Sequence, residues 1–122
     1  MHVAAAVGNN NADGKNTSPE CTPGFVAVGA SAINDARDAF SNFGPVQDIF
    51  APGEDIISAW IASNTAFEWL QAAPHISGLI AYLIGRDRKV SPAEMTVRLQ
   101  GLNLKGILTG ISASFFVDSQ CL

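Results

Sequence analysis

Short apolar runs separated by polar turns fill the first half of the chain, and a helical stripe marks the second. Val3 to Val7 is a continuous apolar run ending at Gly8 and three asparagines, the form of a buried parallel strand entering a loop. Asn11 to Pro23 is dense in Asn, Ser, Thr, Pro and Gly and reads as a surface loop. Phe25 to Val28 is a second buried strand, with Gly29 as its stop. Asn34 to Gly44 is polar and closes on a turn. Val46 to Ala51 and Ile56 to Ile61 read as two further strands on either side of a turn at Pro52-Gly53-Glu54.

Two helices follow. Ile76, Leu79, Ile80, Leu83 and Ile84 fall at i, i+3, i+4, i+7 and i+8, one apolar face of a helix. Gly78, Ala81 and Tyr82 keep its other faces largely apolar, which predicts burial all round. Gly85 and the charged run Arg86 to Lys89 end it in solvent. The second helix starts at Ser91, with Pro92 in first position and Glu94 completing a capping box. Met95, Val97, Leu99 and Leu102 supply its predicted apolar contacts. Strands first and helices later give an α/β fold with a mainly parallel sheet.

Composition narrows the function. The chain has 122 residues, one domain's worth, and is 48% hydrophobic and 15% charged, a balance that suits burial in a larger body. A net charge of -4 without a basic stripe argues against nucleic acid. The longest apolar stretch, Ile76 to Ile84, is too short to span a bilayer. The first residues lack a basic region followed by an apolar core, so no secretory signal is read in this chain. Cys21 and Cys121 lie near opposite ends, and nothing local argues that they pair.

Several blocks, taken in order, carry a resemblance. Val3 to Asn11, Gly8 to Pro19, Val28 to Ser31, Phe40 to Gly53, Asp55 to Ile61, Pro74 to Leu83 and Lys105 to Ile111 together resemble consecutive segments of subtilisin-like serine proteases of the fungal proteinase K type. The resemblance spans Val3 to Ile111. It implies residues 1–111 as the C-terminal part of a subtilase catalytic domain, with 112–122 a divergent tail. It also implies a partial three-layer fold in which helices flank a mainly parallel sheet, and a peptide or protein substrate. Secretion is implied by the resemblance alone.

The same register assigns roles. Asn9 matches the oxyanion-hole asparagine, whose amide donates to the developing oxyanion; losing such a donor costs about 3–4 kcal/mol of transition-state stabilisation. By residue type alone, Asn9 to Asn11 is a strand-ending turn. Ala6, Val7 and Gly8 match the segment that pairs with substrate, and read otherwise as ordinary buried strand. A structural calcium is implied at the carbonyls of Pro23 and Phe25 and the carboxylate of Asp48, an oxygen set of the kind calcium takes. Asp48 read without the resemblance is a solvated aspartate at a strand start.

The nucleophile is where the pattern breaks. Where the family has Gly-Thr-Ser-Met-Ala, this chain reads Glu68-Trp69-Leu70-Gln71-Ala72, and Leu70 falls on the serine. Ser63 lies in a different context, before the expected position. Neither the family's aspartate motif nor its general-base histidine motif occurs in these residues. His2 precedes the first strand, and His75 reads as a packed helix residue. The break is abrupt while its flanks keep the pattern, as a shifted reading frame or mis-splicing would produce. Three functional expectations follow: a catalytically incompetent member of a serine endopeptidase family, a non-catalytic peptide-binding module, or a chain that fails to fold. The last would self-associate through exposed sheet edges.

Overall fold

A computed structural model describes residues 1–16, 18, 22, 24–58 and 71–111. Strands β1 (Val3–Ala6), β2 (Phe25–Ser31) and β3 (Ile49–Pro52) form a parallel sheet in the order β1-β2-β3. Helices α1 (Ala72–Asp87) and α2 (Pro92–Leu102) follow, after a single 3-10 turn at Gly14–Asn16 near the start. The tail 112–122 and the stretch 59–70 lie outside the described residues, as do Cys21, Pro23 and Cys121.

The strands form a staircase. β1 pairs with the first half of β2, from Val3 opposite Phe25 to Ala6 opposite Val28. β3 pairs with the second half, from Val28 opposite Ile49 to Ser31 opposite Pro52. β2 therefore runs on past the end of β1, and that step becomes one side of the site described below.

β2 is buried on both faces, which is why its sequence does not alternate. Val26, Val28 and Ala30 form one cluster with Ile49 and Ala51 of β3 and with Ala72, Ile76, Ile80 and Leu83 of α1. Gly29 does not stop the strand, which continues to Ser31. A Cβ at Gly29 would stand 2.1 Å from the Gln47 amide and 2.7 Å from the Phe50 ring. Glycine is there so that those groups can cover the sheet, and pairing to β3 holds the strand through it.

β3 starts later than the predicted strand Val46 to Ala51. It starts at Ile49 because Gln47 N–H turns back to the Gly44 carbonyl at 3.3 Å, and it takes in Pro52 at the exposed end. Ile56 to Ser58 form no strand, and the rest of that predicted element lies outside the described residues.

α1 packs on all three strands through Ile76, Ile80 and Leu83. It is not buried all round: Gly78, Ala81 and Tyr82 are exposed, because only one face meets the sheet. α2 keeps its predicted start. Glu94 N–H donates to Ser91 Oγ at 3.3 Å and Ser91 N–H donates to Glu94 Oε2 at 2.9 Å. Met95 and Leu99 enter the shared core, but Val97 and Leu102 are 69% and 57% exposed. Leu102 keeps the Met95–Leu99 face but is the last residue of α2, and Val97, two residues from each of that pair, falls on the opposite face. Arg98 ties α2 back to the end of α1 through Asp87 at 3.1 Å. Among the described residues no helix is long and apolar enough to cross a membrane.

Candidate functional site

The step between β1 and β2 opens a cleft at the carboxyl ends of the parallel strands, where α/β sheets place their ligands. Ala6, Val7, Gly8 and Asn9 form one wall, Val28, Ala30 and Ser41 the floor, and Ala72 and Ala73 of α1 the opposite wall. The space amounts to about 340 Å3, part of it open to solvent. Four residues matched to the substrate segment and the oxyanion donor thus lie together. Val7 is buried, and its N–H donates to the Val28 carbonyl at 3.0 Å, extending the ladder one residue past β1. Asn9 is exposed, and its side chain forms no hydrogen bond among the described residues.

The loop carrying Asn9 is held by residues 37–43, of which only Ser41 lines the cleft. Asn42 Oδ1 accepts from the N–H groups of Asn10 and Ala12, both at 3.0 Å, and Asn42 N–H donates to the Gly8 carbonyl at 2.9 Å. Asn11 N–H donates to the Phe40 carbonyl at 2.8 Å, and Phe43 N–H donates to the Ala12 carbonyl at 3.0 Å. Arg37 stacks over the Phe43 ring and donates to Asn11 Oδ1 at 3.0 Å, to the Asp38 carbonyl at 3.2 Å and to the Ser41 carbonyl. Gly8 and Asn11 adopt positive φ, 94° and 51°, conformations that glycine and asparagine enter most readily. The polar turn Ala36 to Gly44 is therefore the frame of the loop. Local sequence marks Ser41 and Asn42 only as two polar residues between the anchors Phe40 and Phe43, which is the signal by which the frame could have been found.

The α1 wall is built differently. Gln71, at the N-cap, supplies no side-chain cap, and no acidic residue occupies the first turn. His75 is exposed rather than packed, and its Nδ1 donates to the Gln71 carbonyl at 2.8 Å, since a carbonyl can only accept. His2 is half-buried, and its Nε2 has no partner among the described residues. Ser41 is the hydroxyl on the cleft floor, and both its capacities are used. Its Oγ accepts from Ala30 N–H at 3.0 Å and donates to the Asn42 carbonyl at 3.1 Å. Leu70 and Ser63 lie outside the described residues.

On the far side of β2, Asp48 is half-buried, with Oδ2 accepting from Ala27 N–H at 2.8 Å. Burial pushes its carboxyl above the ordinary aspartate range, and that hydrogen bond opposes the shift only in part. Ala27 directs both its N–H and its carbonyl toward Asp48. In a parallel strand those directions repeat every second residue, so the Phe25 carbonyl faces the same side, ahead of the start of β3. A carboxylate oxygen and a carbonyl thus share one edge, and the donor set fits a hard cation such as calcium. Among the described residues no cluster of three acidic, histidine or cysteine side chains exists to hold a metal, so such an ion would depend on carbonyls.

Residues 1–108 match the Peptidase S8 family, the subtilase family. The chain belongs to the subtilases. It is 46% identical over 113 residues to the cuticle-degrading protease of Metarhizium anisopliae, a match covering 91% of this chain and 29% of that protein. An alkaline serine protease of Corniculantispora psalliotae is 49% identical, with the same shares of the two chains covered. The alkaline protease 1 of Aspergillus clavatus is 42% identical, covering 89% of this chain and 28% of that one. Among solved structures, a cold adapted subtilisin-like serine proteinase superposes with a TM-score of 0.78 at 34% identity, over 86% of this chain and 39% of that one. The parallel sheet and its two helices are thus part of a subtilisin-like α/β fold, and this subtilase chain spans less than a third of the curated relatives it matches.

Proposed function

We propose that this chain forms the substrate-edge and oxyanion side of a subtilase cleft, and that these 122 residues do not hydrolyse peptide bonds by themselves. The observation that carries the reading joins the cleft to the sequence. Asn9 stands on one wall as a free donor, but the residue before Gln71, where the family resemblance puts the nucleophile, is Leu70. A leucine side chain has no atom that can attack a carbonyl. Ser41 does not replace it, because its proton and its accessible lone pair are committed and it is 1% exposed. His75 is bonded to its own helix and has no carboxylate partner among the described residues to orient it, so it lacks the relationship a general base needs.

What the cleft retains is recognition. The exposed edge beyond β1 offers backbone groups to an extended peptide, and Asn9 offers its amide to a carbonyl or carboxylate oxygen. Peptides or proteins are the corresponding ligands, and secretion follows only from kinship with the family. The test is to treat the chain with a fluorophosphonate probe and to titrate it with a short alanine peptide. Saturable binding with neither labelling nor turnover is expected. Covalent labelling at any hydroxyl would overturn the inactive reading, and absence of binding would overturn the recognition reading.

Calcium at Asp48 and the carbonyls of Phe25 and Pro23 is part of the same proposal, as a structural ion that neutralises a half-buried carboxylate. Calcium should raise the thermal midpoint of the chain and should leave that of Asp48→Asn unchanged. Self-association through the outer edge of β1, which has no strand partner among the described residues, would appear as a sedimentation coefficient that rises with concentration.

A further inference from the structure

Asn42 does not line the cleft, yet it controls the loop that does. It is 0% exposed, and a neutral carboxamide is costly to bury unless its hydrogen bonds are made. Two N–H donors, from Asn10 and Ala12, converge on one side-chain atom, so that atom is the oxygen. The nitrogen, Nδ2, has no partner among the described residues. A buried orphan donor is destabilising, so the side chain persists for what its oxygen does. An apolar residue of the same size would remove the orphan and leave two loop N–H groups without acceptors.

The nitrogen has a steric part. A Cβ on residue 8 would stand 2.6 Å from Nδ2, so the carboxamide rests against the bare Cα of Gly8. Asn42 N–H also holds the Gly8 carbonyl. Residues 8, 10 and 12 are thus all bonded to this one residue, and Asn9 is left between two fixed neighbours with its side chain free. Arg37 and the Phe40 carbonyl reach only Asn11. Among the described residues, Asn42 alone grips the loop on both sides of Asn9.

We propose that Asn42 is a positioning residue for Asn9: its carboxamide, seated against Gly8, fixes the loop so that the Asn9 amide meets an anionic or carbonyl oxygen at the cleft. The assignment rests on the reading of Asn9 as a donor given above. The donor geometry is then set from residues 37–43 and needs nothing from the α1 wall.

The experiment uses the whole 122-residue chain, labelled for NMR, with an acetylated tetra-alanine peptide ending in either a carboxylate or a carboxamide. The chain should favour the carboxylate about tenfold, the effect of one hydrogen bond to a charged group. The Asn9 side-chain amide should be ordered. Asn42→Ser, whose oxygen is too short to reach both N–H groups, should abolish the preference and the order of Asn9. Hydrogen-exchange protection at Leu83, Met95 and Leu99 should stay as it was. Asn42→Asp, which keeps the acceptor, should restore both. If Asn42→Ser does not fold, Gly8→Ala, which presses on Nδ2 from the loop side, should give the same two losses. Retention of Asn9 order and of the preference in the serine variant overturns the proposal, and so does a disordered Asn9 amide in the unaltered chain. An unaltered chain without carboxylate preference, whose Asn9 still loses order in Asn42→Ser, supports positioning by Asn42 and refutes Asn9 as an anion donor.

Discussion

The two walls of the cleft are held in different ways. The Ala6 to Asn9 wall leaves β1 for irregular backbone, yet contacts some thirty residues away in sequence, at Asn42, hold the loop from Gly8 to Ala12 at three places. The α1 wall begins a regular helix of 16 residues, but its first turn has no side-chain cap and its N-cap is a glutamine. Irregular backbone is thus the better determined side, and regular backbone the less finished one. Here the preorganisation of the loop comes from where its supporting hydrogen bonds originate.

The largest effect should come from what both walls share. Leu83 is 1% exposed in the cluster that joins α1, β2 and β3. Leu83→Ala should cost about 2–5 kcal/mol in urea unfolding, through lost transfer energy and a cavity. If the walls rest on one core, probes at Asn9 and in α1 should unfold together in this variant. Separate transitions would mean that the walls are independent bodies and would break the comparison.

The next effect should fall on one wall. Gly8→Ala places a methyl group 2.6 Å from Asn42 Nδ2 at a φ of 94°, which together should cost about 1–3 kcal/mol. Amide exchange should accelerate at Asn10 and Ala12 and stay unchanged through α1. Equal acceleration on both sides would show that the loop is not framed separately.

How much of this could be read in the sequence depends on the range of the interactions. The capping box at Ser91 and Glu94 is a local code, complete within four residues, and the helix starts where it says. The buried stripe of α1 was equally legible, because period alone fixes a face. Gly29 was misleading: as a local signal it breaks strands, but its role is to admit Gln47 and Phe50 from a distance. Val97 and Leu102 read as apolar contacts of α2, but Val97 lies two residues from Met95 and so on the opposite face, and Leu102 ends the helix; both are exposed. At the site, Asn9 and the Ala6 to Gly8 edge were assigned by family register, and the fold lines one side of a cleft with them. Asn42 was within a recognised block, but nothing in Phe40-Ser41-Asn42-Phe43 says which polar atom receives two N–H groups from another segment.

A smaller effect should finish the weaker wall. Gln71→Asp would place an acceptor and a negative charge at the uncapped end of α1, and a good N-cap there should add about 1 kcal/mol. The thermal midpoint should rise, and exchange should slow at Ala73 and His75 but not at Asn10. A gain on the loop side as well would mean that the helix start also tightens the loop wall.

The smallest effect tests a finished cap against the unfinished one, through pH. Glu94 titrates below the ordinary glutamate range, first because the Ser91 hydroxyl donates to it and then because Ser91 N–H does. The unfolded chain therefore holds more protons on this group than the folded one does in the interval between the two values. Its contribution is fully present above the ordinary glutamate value of 4.5 and is lost as pH falls through the lower folded value. The informative comparison is the thermal midpoint of the chain against that of Glu94→Gln, which keeps an acceptor and loses the charge. The gap should be constant from neutrality down to the glutamate range and should close below it. α1 has no acid in its first turn to make a corresponding contribution at its own start. A gap that does not change with pH would mean that the α2 cap holds by shape alone, and that the two helix starts differ less than their side chains suggest.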